Sequence, residues 1–598
     1  MTRSYLYALL LPLLAACATL PAPSPTLTAT VSQTANAELA AVGDAYWELQ
    51  MGRYPTWATA MGDHRYDDRM TDPSEAAILA HQERLTALER RLLAIEPATL
   101  STAETVTADI LALELSQPRR AMACQSWRWS VDQLGGPHVG LAELARYHRV
   151  QAPADAWNLL TRYGLVRGLF DAHVANLRKG LAAGQTASKI NVERVLRQLD
   201  ELLATPVAQS PFVTEALAQL DRGGLDPDAL QRDGTAWRAQ LLGVVESSVY
   251  PGLTAYRDAI RDEVQPRARE GAGVASLPGG AACYEASIAS TLGLDRAPDE
   301  LHALGLAEVE RIRARMETLA HAQGAPSADT WLAALNQRQD QHFESAEALL
   351  AYNTGLVQRA QAALPAAFGR LPKTPIEVTP IEAFRDKDAP AGYYYSAPED
   401  GSRPAAYYVN TYQPETRPRY TMAALAFHEA VPGHHLQIAL AAENKALPRF
   451  QREVGLTAFV EGWALYAEGL AGELGLYQTP EEELGALTYE MWRAVRLVVD
   501  TGLHARGWTR QQALDYLVAQ TGKDPGEAAN EIDRYIVWPG QALAYKVGQL
   551  EILRLREDAR TRLGDRFDLR AFHDEVLAHG AVPLPTLDRL VTAWVGRQ

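Results

Sequence analysis

The segment Phe427-His428-Glu429-Ala430-Val431-Pro432-Gly433-His434-His435 gathers three imidazoles and a carboxylate within nine residues. Imidazoles and a carboxylate, with one position left for water, are what a catalytic zinc site uses. In the usual H-E-x-x-H arrangement the two histidines stand four residues apart on one helix face. Here the fourth residue after His428 is Pro432, which binds no metal and disrupts a helix interior. On an unbroken helix His435 returns to the face of His428 about 10.5 Å further along, while His434 points roughly 120° away. The Pro432-Gly433 pair permits a bulged turn that brings His434 back, so His434 is the expected second ligand and His435 the alternative.

A third ligand should arrive from a later helix. Val460-Glu461-Gly462-Trp463-Ala464-Leu465-Tyr466-Ala467-Glu468 offers Glu461, 27 residues beyond His434, with Glu468 on the same face. Glu461 is the expected metal ligand, and Glu468 the group that orients a ligating histidine. Both could be solvated surface charges, but Phe459, Trp463, Ala464 and Leu465 mark a buried helix, and a buried carboxylate needs a partner. Glu429, beside His428, is the expected general base, taking a proton from the attacking water and passing it to the departing amine. The tetrahedral oxyanion calls for donors. Tyr535 and Tyr545 are the first candidates, followed by His504, which shares a helical face with Arg496 and Asp500, and Arg534, which could hold a substrate carboxylate. Each of these four fits a structural hydrogen bond or salt bridge equally well.

These groups need a scaffold. Between about 375 and 412, Ile376-Glu377-Val378, Tyr393-Tyr394-Tyr395 and Tyr407-Tyr408-Val409 are separated by Pro, Gly and Asp and predict a small sheet just before the histidines. From Thr421, read as a helix cap, to the end, and from about 36 to 265, apolar residues recur at helical spacing, as in Leu159-Leu160-Tyr163-Val166. Pro298-Asp299-Glu300 opens a further helix. Glycine-rich breaks fall at Gly62-Asp63, Gly135-Gly136-Pro137, Gly223-Gly224 and 271–280, the last suggesting an N-terminal helical lobe over 36–270 and a catalytic lobe over 271–598.

At 598 residues, 47% hydrophobic and 22% charged, the chain has the composition of a soluble globular protein long enough for two lobes. A net charge of −16 without a basic stripe argues against nucleic acid as a partner. Arg3, the apolar run from Tyr5 to Leu14 and Leu14-Ala15-Ala16-Cys17 resemble a bacterial lipoprotein signal, too short to span a bilayer. Cleavage there leaves Cys17 as the lipidated N-terminus, followed by a flexible Ala/Pro/Ser/Thr tether over 18–35. Ala18 after the cysteine resembles outer-membrane sorting, so the expected location is the periplasmic side of the envelope, with membrane contact through the lipid alone. Cys124 and Cys283 remain in the body, and spacing leaves open whether they pair.

The ordered motifs H-E-x-x-P-G-H, E-G-W-A-x-Y-x-E and R-Y-x-x-x-P-G-Q-A resemble the bacterial domain-of-unknown-function family eight-eight-five, from about residue 40 to the C-terminus, including Gly62-Asp63-His64 and Asp500-Thr501-Gly502-Leu503-His504. The resemblance implies a mainly α, two-lobed zincin-like peptidase fold, similar to thimet oligopeptidase and the Taq-type carboxypeptidases, with a small β-sheet next to the active-site helix. It implies Zn²⁺ held by His428, His434 and Glu461, with Glu429 acting on water. It also implies a cleft suited to short peptides, flanked by Tyr408 and Asn410 on a sheet edge that pairs with extended substrate. Two other readings use the same residues: a zinc hydrolase of another amide, such as a cell-wall peptide or a modified amino acid, and a non-catalytic peptide-binding envelope lipoprotein. Against the last stands Glu429, which binding alone does not need.

Overall fold

Local signals set most helix boundaries in this mainly helical chain. Ser101 and Glu104 form a capping box at the start of Thr102–Ala121, and Thr509 and Gln512 do the same for Arg510–Thr521. Pro298 opens Pro298–Ala322 with Asp299 and Glu300 in its first turn, as expected. Thr421 does not cap: its helix begins at Arg419, and the Thr421 hydroxyl, already inside the first turn, donates to the Pro418 carbonyl. The computed structural model describes residues 36–381, 386–387, 389–399, 401 and 403–598, so the signal segment 1–17 with Cys17 and the tether 18–35 lie outside the described residues.

Two small sheets accompany the helices. A hairpin of β1 (Gln231–Arg232) and β2 (Thr235–Ala236) was not expected. The strands β3 (Ile376–Pro380), β4 (Gly392–Tyr395) and β5 (Ala405–Val409) fall where the sequence marks them, in the order β3-β5-β4. β5 pairs in parallel with β3 and antiparallel with β4, Tyr394 opposite Tyr407. The strand carrying Tyr407-Tyr408-Val409 is therefore the centre of its sheet, where both rows of backbone groups are occupied. The expected sheet edge at Tyr408 and Asn410 is corrected accordingly: the outer strand on that side is β4.

The largest apolar cluster joins residues of 39–115 to residues of 343–595, while residues of 131–264 form a second cluster. Packing thus runs across the boundary expected near 271. A third cluster surrounds Pro480–Ala505, in which Ala494, Val495, Val498 and Val499 have no exposed surface. This long helix lies against both Pro298–Ala322 and Arg419–Glu429. Cys124 and Cys283, left open by the sequence, form a disulfide. Among the described residues no helix is long and apolar enough to cross a membrane.

Helices Thr457–Glu473 and Ala544–Leu563 cross with their backbones in contact. A Cβ on Gly462 would stand 2.4 Å from the Gly548 Cα, and one on Gly548 would stand 1.9 Å from the Ala458 carbonyl oxygen. Neither neighbour is a flexible side chain that can move aside, so only glycine fits at the crossing that carries Glu461. Replacing Gly548 with Val should cost about 1–3 kcal/mol or more of stability. Urea denaturation followed by far-UV circular dichroism checks this, and an unchanged midpoint would show that the crossing opens freely.

Candidate metal centre

The His428 helix (Arg419–Glu429) stops one residue after His428, and a new helix (His434–Glu443) starts at His434. Between them Ala430 and Gly433 leave helical conformation, with ψ of −108° and −129°, and the Val431-Pro432 peptide is cis. Gly433 folds back on the helix it leaves: a Cβ there would lie 1.9 Å from the His428 carbonyl oxygen. Trp463 secures the turn by donating its indole N–H to the Pro432 carbonyl at 3.0 Å. The interruption thus re-aims His434, which an unbroken helix would turn away.

His428, His434 and Glu461 come together, with one ligand atom from each lying within 4.8 Å of the others. The Glu461 Oε2 is 3.5 Å from the His428 Nε2 and 3.4 Å from the His434 Nε2. The two imidazoles meet nearly edge to face, their planes 84° apart. On the far side of His428, Nδ1 lies 2.7 Å from the Glu468 Oε1, which also receives Arg493 at 3.0 Å. A carboxylate accepts only, so Nδ1 carries the proton and Nε2 turns its lone pair toward Glu461. Two electron-rich atoms facing each other at this separation require a proton or a cation between them. Burial works against a charged His428, but the carboxylates of Glu461 and Glu468 outweigh it and raise the imidazole to about 9. Burial likewise opposes the Glu461 charge, yet the two imidazoles hold its carboxyl well below the usual range.

His435, the alternative ligand, turns elsewhere: its ring nitrogens lie 3.1 Å from the Tyr394 hydroxyl and 3.0 Å from the Thr374 carbonyl oxygen. Glu429 ends the His428 helix half-buried, and burial raises its carboxyl. Tyr545 stacks on His428 with ring centres 6.2 Å apart, and the Arg496 guanidinium lies 4.3 Å from the same tyrosine ring. Tyr545 is therefore beside the cluster.

Several other expected site residues are committed to structure. The Tyr535 hydroxyl accepts from Trp492 and Arg496 and donates to Glu531, which leaves it no spare hydrogen for an oxyanion. His504 accepts from the Val274 N–H and donates to the Tyr535 carbonyl; burial lowers it to about 3, so it is a neutral tie between backbones. The Asn410 amide donates to the carbonyls of Asp386, Ala389 and Pro390 and accepts from the Tyr412 N–H, so it builds a loop instead of meeting substrate. Tyr408 stacks on Tyr393, with Arg146 over its ring. Arg534 donates to Gln541 and Glu531. Sequence reasoning passed over Arg493, the cation that neutralises Glu468. Its only signal was local: a charge set among the apolar Met491, Trp492, Ala494 and Val495, between Glu490 and Arg496.

This is a mainly helical protein in which two histidines on either side of a helix break meet a glutamate from another helix. The chain belongs to the family of bacterial proteins of unknown function DUF885, whose model matches residues 55–591. It is similar to a crystal structure of a candidate lipoprotein from Colwellia psychrerythraea, at 30% identity and a TM-score of 0.88, covering 94% of this chain and 99% of that one. A candidate lipoprotein of unknown function from Shewanella oneidensis shares the fold at 19% identity and a TM-score of 0.73, covering 93% and 99%. No curated protein matches.

Asp500 anchors the turn that leads into Tyr545: it accepts from the Gly540 N–H at 3.1 Å and from the Tyr284 hydroxyl at 2.6 Å. Complete burial pushes its carboxyl up to about 7. An unfolded Asp titrates near 3.9, so between these values the native state binds the extra proton and stability falls as pH rises. The expected outcome is a thermal midpoint that declines from about pH 4 to 7 and a shallower decline in Asp500→Asn, whose amide oxygen can still accept both bonds. Identical slopes in the two proteins, measured by calorimetry, would remove Asp500 as the cause.

Proposed function

We propose that the protein is a zinc-dependent peptidase, exported and tethered to the cell envelope by a lipid on Cys17. The single observation that carries this reading is the convergence of the His428 Nε2, the His434 Nε2 and the Glu461 Oε2. Zinc bonds of about 2.0–2.1 Å in tetrahedral array imply ligand atoms about 3.3–3.4 Å apart. The two measured separations to Glu461, 3.5 and 3.4 Å, fit that spacing. Glu461 Oε2 is also buried without a hydrogen-bond partner among the described residues. Two histidines and one glutamate form a catalytic rather than structural zinc set, since a fourth position is left open. The Glu468 carboxylate behind His428 is the usual outer partner of such a histidine, fixing its tautomer and raising its basicity.

When bound, Zn²⁺ supplies Lewis acidity that makes a water nucleophilic near neutral pH and polarises the scissile carbonyl. The protein's own groups do the remaining work. Glu429, next in sequence to His428 and with a carboxyl raised by burial, takes the proton of the attacking water on its carboxylate and delivers it to the leaving amine nitrogen. Tyr545, stacked on His428, is the donor best placed for the developing oxyanion. An extended peptide has β4 as its sheet partner, because β5 is paired on both sides and β4 packs against the His428 helix. A zincin-like, two-lobed arrangement accommodating short peptides accords with this reading. The lipid anchor is supported by the Leu14-Ala15-Ala16-Cys17 motif and by the two similar candidate lipoproteins.

Purified protein should carry about one zinc per chain, lost in His428→Ala. Glu429→Gln should keep the metal and lower cleavage of a mixed-peptide library by about 10²–10⁴-fold. Mass spectrometry of the library reads the outcome; no cleavage by the zinc-loaded wild type would sink the peptidase reading. Glu468→Gln should weaken zinc binding roughly 10–100-fold in a competition assay with a chelator, and unaltered affinity would detach Glu468 from the metal.

A further inference from the structure

Far along the chain from the histidine cluster, helices Ala37–Arg53, Pro55–Ala60, Glu75–Leu93 and Thr102–Ala121 line an open recess of about 450 Å³. Its walls include the rings of Tyr46, Tyr54, Trp57 and His81, together with the carboxyl of Glu114. None of the residues expected to hold metal or substrate contributes to it.

The rings are held in place from behind. Tyr46 meets Phe450 edge-on at 5.9 Å, Trp57 meets Trp47 at 5.7 Å, and Tyr54 meets His81 at 5.9 Å. Even so, Tyr54 and Trp57 remain 39% and 38% exposed, high for large aromatics whose burial is strongly favourable. Glu114 donates nothing and accepts the Tyr46 hydroxyl on Oε2 at 2.5 Å. No Lys or Arg among the described residues reaches it within 4.0 Å. By contrast Glu468 has Arg493, and Glu531 has Arg496 and Arg534. A desolvated carboxylate without a counter-ion is unfavourable, and burial accordingly raises Glu114.

Aromatic faces around a lone carboxylate form an attractive setting for a positive charge, since the ring quadrupoles and the carboxylate act in the same sense. The rings already show this preference: the Arg53 guanidinium lies 5.5 Å from the centre of Tyr54. His81 adds no competing charge at neutral pH, because burial first, and then Arg53 and Arg84, lower it to about 4. We propose that this recess binds a small organic ammonium ion, a primary amine or a quaternary ammonium group, with Glu114 as its counter-ion and Tyr46, Tyr54 and Trp57 as its cage.

The test is isothermal titration of the whole protein with cadaverine and tetramethylammonium, using 1,5-pentanediol as the neutral match for cadaverine. Saturable binding of at least one cation is expected, with none of the diol. Glu114→Gln and Trp57→Ala should each weaken the cation at least about tenfold, while Trp57→Phe, which keeps a ring, should retain most of the affinity. Thermal midpoints close to wild type would show that the variants fold. Affinity should also fall as pH is lowered, because protons compete with the ligand for Glu114. The proposal is overturned if neither cation saturates, if the diol binds as well as cadaverine, or if Glu114→Gln binds the cations as tightly as wild type.

Discussion

A carboxylate oxygen held between two imidazole nitrogens in a buried pocket is the constraint on which the rest of the catalytic region depends. Glu461 cannot occupy that place without positive charge to face it, and His428 turns Nε2 toward it only because its other nitrogen, Nδ1, has an acceptor of its own. Glu468 accepts the hydrogen bond from that nitrogen, and Arg493 in turn neutralises Glu468. The chain of charge therefore runs from Arg493 through Glu468 and His428 to Glu461, alternating in sign from three different helices. Each member is tolerable only because the next is present.

The surrounding architecture follows from keeping those helices close. Gly462 and Gly548 let two backbones touch, which brings Glu461 level with the broken helix. Trp463, next in sequence, ties the break itself by bonding to Pro432. The long Pro480–Ala505 helix carries Arg493, Arg496 and Asp500 on its buried surface and sets their spacing as a rigid rod does. Asp500 and His504 then fasten neighbouring loops by accepting from and donating to backbone groups, so residues that resemble catalytic groups serve as ties.

The division between reactive and structural polar groups is visible in how completely each is satisfied. Tyr535, His504 and Asn410 have spent their hydrogen-bonding capacity on protein partners. Glu461 has a buried oxygen without a hydrogen-bond partner among the described residues, and Glu429 is half-buried at the end of its helix. Glu114 in its aromatic recess differs from both: its Oε2 accepts from the Tyr46 hydroxyl, and what it lacks among the described residues is a counter-ion. Residue type alone does not make this distinction, because tyrosine and histidine are as common in ties as in active sites.

The sequence by itself determined the helical character, the positions of β3, β4 and β5, the family, and the likeness of His428, His434 and Glu461 to a ligand set. These depend on periodicity, turn chemistry and short motifs, which are local. Pro432-Gly433 even announced that the helix must break and favoured His434 over His435. Only the tertiary structure decided which strand sits at the sheet edge, that Cys124 meets Cys283, that Arg493 stands behind Glu468, and that Tyr535, His504 and Asn410 are fully bonded. Those outcomes rest on partners far apart in sequence, 159 residues in the case of the two cysteines. Chain pattern fixes which groups are available and which way a helix turns, whereas packing of distant segments fixes which of them remain unsatisfied.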